Sequence, residues 1–180
     1  PGYRNRLAVV MQSAVSDAHA AAFFEMLGQS ARPLIYAGGG VINAAASDAL
    51  NEFAQAFNVP VVTTLMGIGA IDTTHPLSMS MLGMHGAAFA NYAVEDCDFL
   101  MCVAARFDDR VAGVPAKFAP NARHIAHLDV DRAEINKVKR VNWSHVGMLG
   151  DALRALIAWG RAKGLAGKPY AEWHAHLKQL

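Results

Sequence analysis

Phe99-Leu-Met-Cys-Val-Ala-Ala-Arg-Phe-Asp-Asp-Arg-Val111 joins an apolar run directly to a charged loop. The run, Phe99 to Ala104, is set off upstream by the polar patch Glu95-Asp96-Cys97-Asp98. It reads as a buried strand of a parallel sheet. Arg106, Asp108, Asp109 and Arg110 then fall at the strand's carboxyl end, the edge at which open α/β sheets bind ligands. Two guanidinium groups beside two carboxylates suit either a solvated salt-bridge loop or a site for a polyanionic cofactor with hydroxyl groups, such as a dinucleotide.

Outward from that strand, helical and extended patterns alternate. Ser16 to Ser30 carries Ala20, Phe23, Phe24 and Leu27 on one helical stripe. Leu34-Ile-Tyr-Ala37 reads as a short strand and Ala44 to Phe57 as a helix, with Ser47 or Asp48 as its cap and Asn58 as its end. Val59-Pro-Val-Val-Thr63 is a β-branched strand with proline near its start. Ala70 to Ser80 reads as irregular, and an alanine-rich helix runs from about Ala87 to Val94. His124 to Val130 reads as a strand, Glu134 lies in a helix-and-loop segment, and Asp151 to Lys163 is an amphipathic helix. The alternation predicts an α/β fold: a doubly wound, mainly parallel sheet of about six strands flanked by helices, a Rossmann-like three-layer sandwich. The expected division is a central cofactor-binding domain over 1–163 and a linker with the start of a following segment over 164–180. Pro1-Gly-Tyr and Gly164-Leu-Ala-Gly-Lys-Pro169 read as joints, so the chain is expected to be the middle of a longer polypeptide.

The 180 residues suffice for one domain with a sizeable core. Hydrophobic residues make up 53%, which excludes a disordered chain, and the 17% of charged residues suits a chain that buries surface against partners. A formal net charge of +1 without a basic run gives no electrostatic footprint for nucleic acid. No apolar stretch has membrane-spanning length. Cys97 and Cys102 are too far apart on an extended strand to bridge, and are expected as reduced, buried thiols in a cytoplasmic protein.

Gly38-Gly39-Gly40 follows a strand, where glycine permits close approach of a ligand or simply a tight turn; its spacing is not the dinucleotide fingerprint. Leu82-Gly83-Met84-His85-Gly86 brackets a thioether and an imidazole with glycines. That turn either holds backbone and Met84 against a flat ring or is an ordinary turn with a surface histidine. Asp129 and Asp131 follow a strand and either receive a sugar hydroxyl or cap the next helix. His124 and His127 point to opposite sheet faces, and no histidine pair has zinc spacing. No nucleophile elbow or catalytic triad is discernible.

Tyr36-Ala-Gly-Gly-Gly40, Thr64-Leu-Met-Gly67, Met81-Leu-Gly-Met-His-Gly86, Ala105-Arg-Phe-Asp-Asp-Arg-Val111, Leu128-Asp-Val-Asp131 and Ala133-Glu-Ile135 occur in that order. Together they make the chain similar to the central domain of acetohydroxyacid (acetolactate) synthase, a thiamine-diphosphate enzyme family, over about Pro1 to Ile157. The segment from Glu134 to Asp151 and the helix start after Gly38 differ in length from the family pattern. The resemblance implies an enzyme that condenses pyruvate with pyruvate or 2-ketobutyrate, with loss of CO2, in branched-chain amino-acid synthesis. It implies FAD bound structurally in this domain, and thiamine diphosphate with Mg²⁺ held by flanking domains of the same polypeptide. No catalytic or metal-binding residue is assigned to this chain, and the chain alone is expected to be inactive. A homo-oligomer of the full subunit and a small regulatory subunit are the implied partners.

Carried over by motif, Gly39 would approach the phosphate-ribose region, and Thr64 and Leu65, with Leu82, Gly83, Met84, His85 and Gly86, would line the flavin side. Ala105, Arg106, Asp108, Arg110 and Val111 would hold the cofactor on the charged loop, and Asp129, Val130 and Glu134 its adenosine half. Two alternatives stand beside this reading: the middle domain of a sister thiamine carboligase or decarboxylase holding ADP or no nucleotide, and a non-catalytic nucleotide-binding regulatory module.

Overall fold

The structure, a computed structural model, describes residues 8, 10, 11 and 13–180; the Pro1-Gly-Tyr joint lies outside them. Its centre is a six-stranded parallel sheet in the order β3-β2-β1-β4-β5-β6. The strands are β1 (Pro33–Ala37), β2 (Val61–Thr63), β3 (Ser78–Met81), β4 (Phe99–Val103), β5 (His124–Asp129) and β6 (Trp143–Val146). The chain winds outward from β1 to β3, then crosses back to lay β4 on the other side of β1. Direction of travel therefore reverses between β1 and β4, the position at which doubly wound sheets open a crevice.

Alternation along the strands builds three layers. Ile35 and Ala37, with Phe99, Met101 and Val103, face one cluster; Leu34 and Tyr36, with Leu100 and Cys102, face the other. The first cluster is covered by α1 (Asp17–Gln29), α3 (Ser47–Phe57) and α6 (Leu149–Ala162). Phe23 is its aromatic hub, packed edge-on against Phe24, Phe53, Phe99 and Trp143. The second cluster is covered by α4 (Ala88–Asp96) and α7 (Ala171–Leu177). The indole N–H of Trp173 donates to the Pro33 carbonyl at 2.9 Å, and the Asn58 amide donates to the carbonyls of Lys168 and Pro169. Residues 167–177 thus fasten to the amino-terminal side of the sheet.

Several elements differ from the sequence reading. The helix expected over Ala44–Phe57 starts three residues later, as α3, and a short helix that the sequence did not announce, α2 (Gly39–Asn43), precedes it across Ala45 at φ +48°. Ala46 precedes α3, and neither Ser47 nor Asp48 serves as its cap. Asn58 ends α3 in a left-handed conformation (φ 56°), as expected. Ala70–Ser80 is not wholly irregular, because Ser78–Met81 is an edge strand. Its Ser-Met-Ser-Met sequence carries no β-branched signal, and pairing to β2 alone makes it extended. Trp143–Val146 is the opposite edge, with alternating burial that fits one covered face. Val59 and Pro60 precede β2, and β5 stops at Asp129, leaving Val130 about half exposed. Both cysteines are free and buried, as expected. Among the described residues, no helix is long and apolar enough to cross a membrane.

Candidate functional site

The carboxyl ends of β1, β2, β4 and β5 open onto one groove of about 1040 Å³, at the upper end of the size of small-molecule sites. The loop after β1 supplies Gly38, Gly39 and Gly40; the loop after β2 supplies Thr64, Leu65 and Met66. The loop after β4 contributes the whole stretch from Ala104 to Val111, and the loop after β5 contributes Val130, Asp131 and Glu134 beside the strand's last residue, Asp129.

The glycine triplet is explained first by protein packing. A Cβ on Gly38 would stand 2.2 Å from the Ala104 carbonyl oxygen, one on Gly40 2.5 Å from the Ala104 Cβ, and one on Gly39 2.7 Å from the Met66 Cβ. Loops after β1, β2 and β4 therefore touch across the crevice, and small residues let them do so. Gly38 N–H donates to Val103 and Gly40 N–H to Ala104, at 2.9 and 3.3 Å. Thr64 is occupied locally: its hydroxyl accepts from Gly67 N–H at 3.1 Å and caps the 3₁₀ turn Leu65–Gly67. Leu65 and Met66 are left about 68% and 75% exposed at the groove rim.

Charge is concentrated on the β4 loop, where Asp109–Ala112 forms a short helix, α5. Arg106 reaches Asp108 only at 3.9 Å, and both side chains are substantially exposed, so the pair contributes little to stability. Arg110 makes no ion pair among the described residues. Asp108 Oδ1 is buried with no hydrogen-bond partner. On the far side, Asp129 is 8% exposed at the groove floor; its Oδ1 accepts from Asp131 N–H, and its Oδ2 lies 3.7 Å from His127 Nε2. Asp131 caps the turn Arg132–Glu134 through Ala133 N–H, the capping alternative of the sequence reading. Glu134 pairs with Lys137 at 2.8 Å.

Gly39, Thr64, Leu65, Ala105, Arg106, Asp108, Arg110, Val111, Asp129, Val130 and Glu134 are thus brought to one groove. The Leu82–Gly86 turn lies apart. Leu82 is buried in the core. Gly83 and Met84 line a second depression of about 320 Å³, which shares Asp109, Arg110 and Val111 with the first groove. His85 and Gly86 line neither. Asn91 clamps this turn, accepting from Gly83 N–H and donating to Gly83 C=O, and Gly83 needs its positive φ of 101°. Sequence reading missed Asn43, Lys137, Val138, Met148 and Leu149 in the groove wall. It also missed His127 beneath the floor, although its two-residue spacing from Asp129 puts both on one face of β5. Among the described residues, no group of three or more His, Cys, Asp or Glu side chains could hold a metal ion.

The donor set suits a diphosphate-bearing dinucleotide. Guanidinium groups form charge-assisted forks to phosphate, and carboxylates at the end of a parallel strand accept from sugar hydroxyls. The orphaned oxygen of Asp108 is a further acceptor in want of a donor.

Residues 20–156 match the sequence profile described as "Thiamine pyrophosphate enzyme, central domain". The chain is 48% identical over 141 residues to the acetolactate synthase large subunit of Parasynechococcus marenigrum (strain WH8102), covering 78% of this chain and 23% of that protein. It is 47% identical over 156 residues to acetolactate synthase isozyme 2 large subunit of Escherichia coli (strain K12), covering 87% and 27%. It is 39% identical over 183 aligned residues to the acetolactate synthase large subunit of Corynebacterium glutamicum, covering 100% and 28%. The chain spans about a quarter of the length of these curated relatives. A parallel sheet in this order, a groove at its switch point and a profile match over most of the length agree: the chain belongs to the thiamine pyrophosphate enzyme central-domain family.

Proposed function

We propose that this chain is the central domain of an acetolactate synthase large subunit and that its groove binds FAD as a structural cofactor. The observation that carries the reading is the meeting of Arg106 and Arg110 with Asp129 across one groove at the β1/β4 switch point. Arg106 and Arg110 bind the diphosphate; Asp129 accepts a hydroxyl of the adenosine half, with Glu134 beside it. Leu65 offers an apolar wall toward the flavin, and Met84 approaches from the adjoining depression that shares Arg110 with the groove; His85 is assigned to the same side by its place in the motif alone. Thiamine diphosphate and Mg²⁺ belong to flanking domains, and condensation of two 2-ketoacids belongs to the full subunit, a cytoplasmic homo-oligomer with a small regulatory partner. The boundary at residue 163 is part of the same proposal.

Calorimetric titration of this chain with FAD tests the reading. Saturable binding is expected, weak because residues outside the chain complete the cover, and weakened further by Arg106→Ala. Absence of binding at millimolar FAD would refute it. With thiamine diphosphate, Mg²⁺ and FAD added, pyruvate is expected to yield no acetolactate above background; turnover would overturn the assignment as a non-catalytic part. A second reading, a sister enzyme holding ADP here, draws on the separation of Met84 and His85 from the main groove. Equal affinity for ADP and FAD would select it.

A further inference from the structure

Beneath the charged loop, one row of the sheet carries three polar side chains. Strand register sets Tyr36 of β1 level with Cys102 of β4, and Cys102 level with His127 of β5. All three are wholly buried. The Tyr36 hydroxyl donates to the Arg106 carbonyl at 2.7 Å. The Cys102 thiol and the His127 ring both reach the Ala105 carbonyl, each at 3.1 Å. Because a carbonyl only accepts, His127 donates from Nε2; its other ring nitrogen, Nδ1, is buried and has no partner. The Phe107 ring closes the row from above, with centroids 5.8 Å from Tyr36 and 5.5 Å from His127.

Core packing alone does not account for this row. Apolar residues would fill the same positions without stranding a polar atom, and one carbonyl does not need two donors. What the three donors share is their target: the two consecutive peptide carbonyls that set the direction of the Arg106 side chain, just after Ala104 turns at φ +45°. His127 also stands against Asp129, on the opposite bank of the groove.

We propose that Tyr36, Cys102 and His127 are positioning residues that pin the Ala105 and Arg106 carbonyls and thereby aim the Arg106 guanidinium into the groove at the anionic part of a bound nucleotide. This rests on the reading of the groove as a nucleotide site, and the test separates the two. Tyr36→Phe removes one hydroxyl and keeps the ring contacts with Phe107 and Phe118. Two quantities are measured on the whole chain: amide hydrogen exchange of peptides covering 104–111, and FAD and ADP dissociation constants with and without Arg106→Ala. Tyr36→Phe is expected to speed exchange of that segment about tenfold, leave β1 and β4 protected, and weaken FAD binding about tenfold. Arg106→Ala added to Tyr36→Phe is expected to cost little more, since the guanidinium is already misaimed. Full additivity of the two losses, or unchanged exchange, overturns the proposal. Faster exchange in a protein that binds neither FAD nor ADP upholds the pinning and refutes the nucleotide it is said to serve. His127→Gln, which keeps a side-chain donor, is expected to retain most affinity where His127→Leu loses it; equal losses also overturn the proposal.

Discussion

Gly38→Ala is expected to destabilise this chain severely, for a reason that lies wholly in packing. Gly38 has φ −104° and ψ −180°, extended backbone that alanine adopts freely. The added methyl would stand 2.2 Å from the Ala104 oxygen, 2.5 Å from the Ala105 Cα and 2.6 Å from its Cβ. Unstrained carbon–oxygen contacts begin at about 3.3 Å, so the Ala104–Ala105 backbone must withdraw by roughly 1 Å. It cannot do so cheaply. Gly40 N–H binds the Ala104 carbonyl and Gly38 N–H the adjoining Val103 carbonyl from one side, and Ala104 N–H donates to the Leu128 carbonyl on the other at 2.7 Å. Overpacking costs about 1–3 kcal/mol and the two loosened hydrogen bonds about 1 kcal/mol each, giving about 3–5 kcal/mol. For a domain whose total stability is about 5–15 kcal/mol, the melting temperature falls by on the order of 10 °C. Gly28→Ala is the control. Its Cβ meets nothing within 4 Å inside α1, and it is expected to gain about 0.5–1 kcal/mol from helix propensity. Urea and thermal unfolding of the three proteins, followed by circular dichroism, give the comparison. Gly38→Ala within about 0.5 kcal/mol of the parent would refute the claim that the crevice loops are in forced contact.

Acid is expected to act through Asp98. Burial works to raise its pKa, but hydrogen bonds from Ser30, Ala31 and Arg32, with the Arg32 charge, outweigh this and hold it below the usual carboxylate range. Its stabilisation is complete above the unfolded value of about 3.9 and is lost as pH falls through the lower folded value. Urea midpoints measured from pH 7 to pH 2 should fall less steeply at the acid end in Asp98→Asn. Both thiols are expected to resist a disulfide reagent at pH 8 until urea is added, because burial pushes Cys97 up to about 12 and Cys102 well above its ordinary value. Reaction in the native state would show that the strand opens. Trp173→Ala is expected to cost about 3–5 kcal/mol in urea unfolding, since the indole is buried and hydrogen-bonded to Pro33. A loss below about 1 kcal/mol would mean that α7 is not held to the sheet.

Interior strands were legible because burial on both faces demands continuous apolar runs. Phe99–Val103 and Leu34–Ala37 announce themselves in that way. Edge strands were not. Ser78–Met81 and Trp143–Val146 each have one neighbour, so pairing rather than residue preference makes them extended. The short helix α2 and the later start of α3 were hidden for a related reason: a single alanine at φ +48° has no sequence signal, and contact of Gly39 and Gly40 with Met66 and Ala104 fixes where the chain must turn.

By itself the sequence determined the layered α/β class, the burial of both cysteines and the charged loop at the end of β4, since each follows from hydrophobic run length and local charge order. Tertiary structure alone decided the strand order, and with it which loops share a groove: Arg106, Asp129 and Gly39 meet because β1, β4 and β5 are neighbours, whereas the Leu82–Gly86 turn follows edge strand β3. It also decided that Tyr36, Cys102 and His127 form one row. Register between strands is a long-range property, and the spacing of residues along a single chain does not encode it.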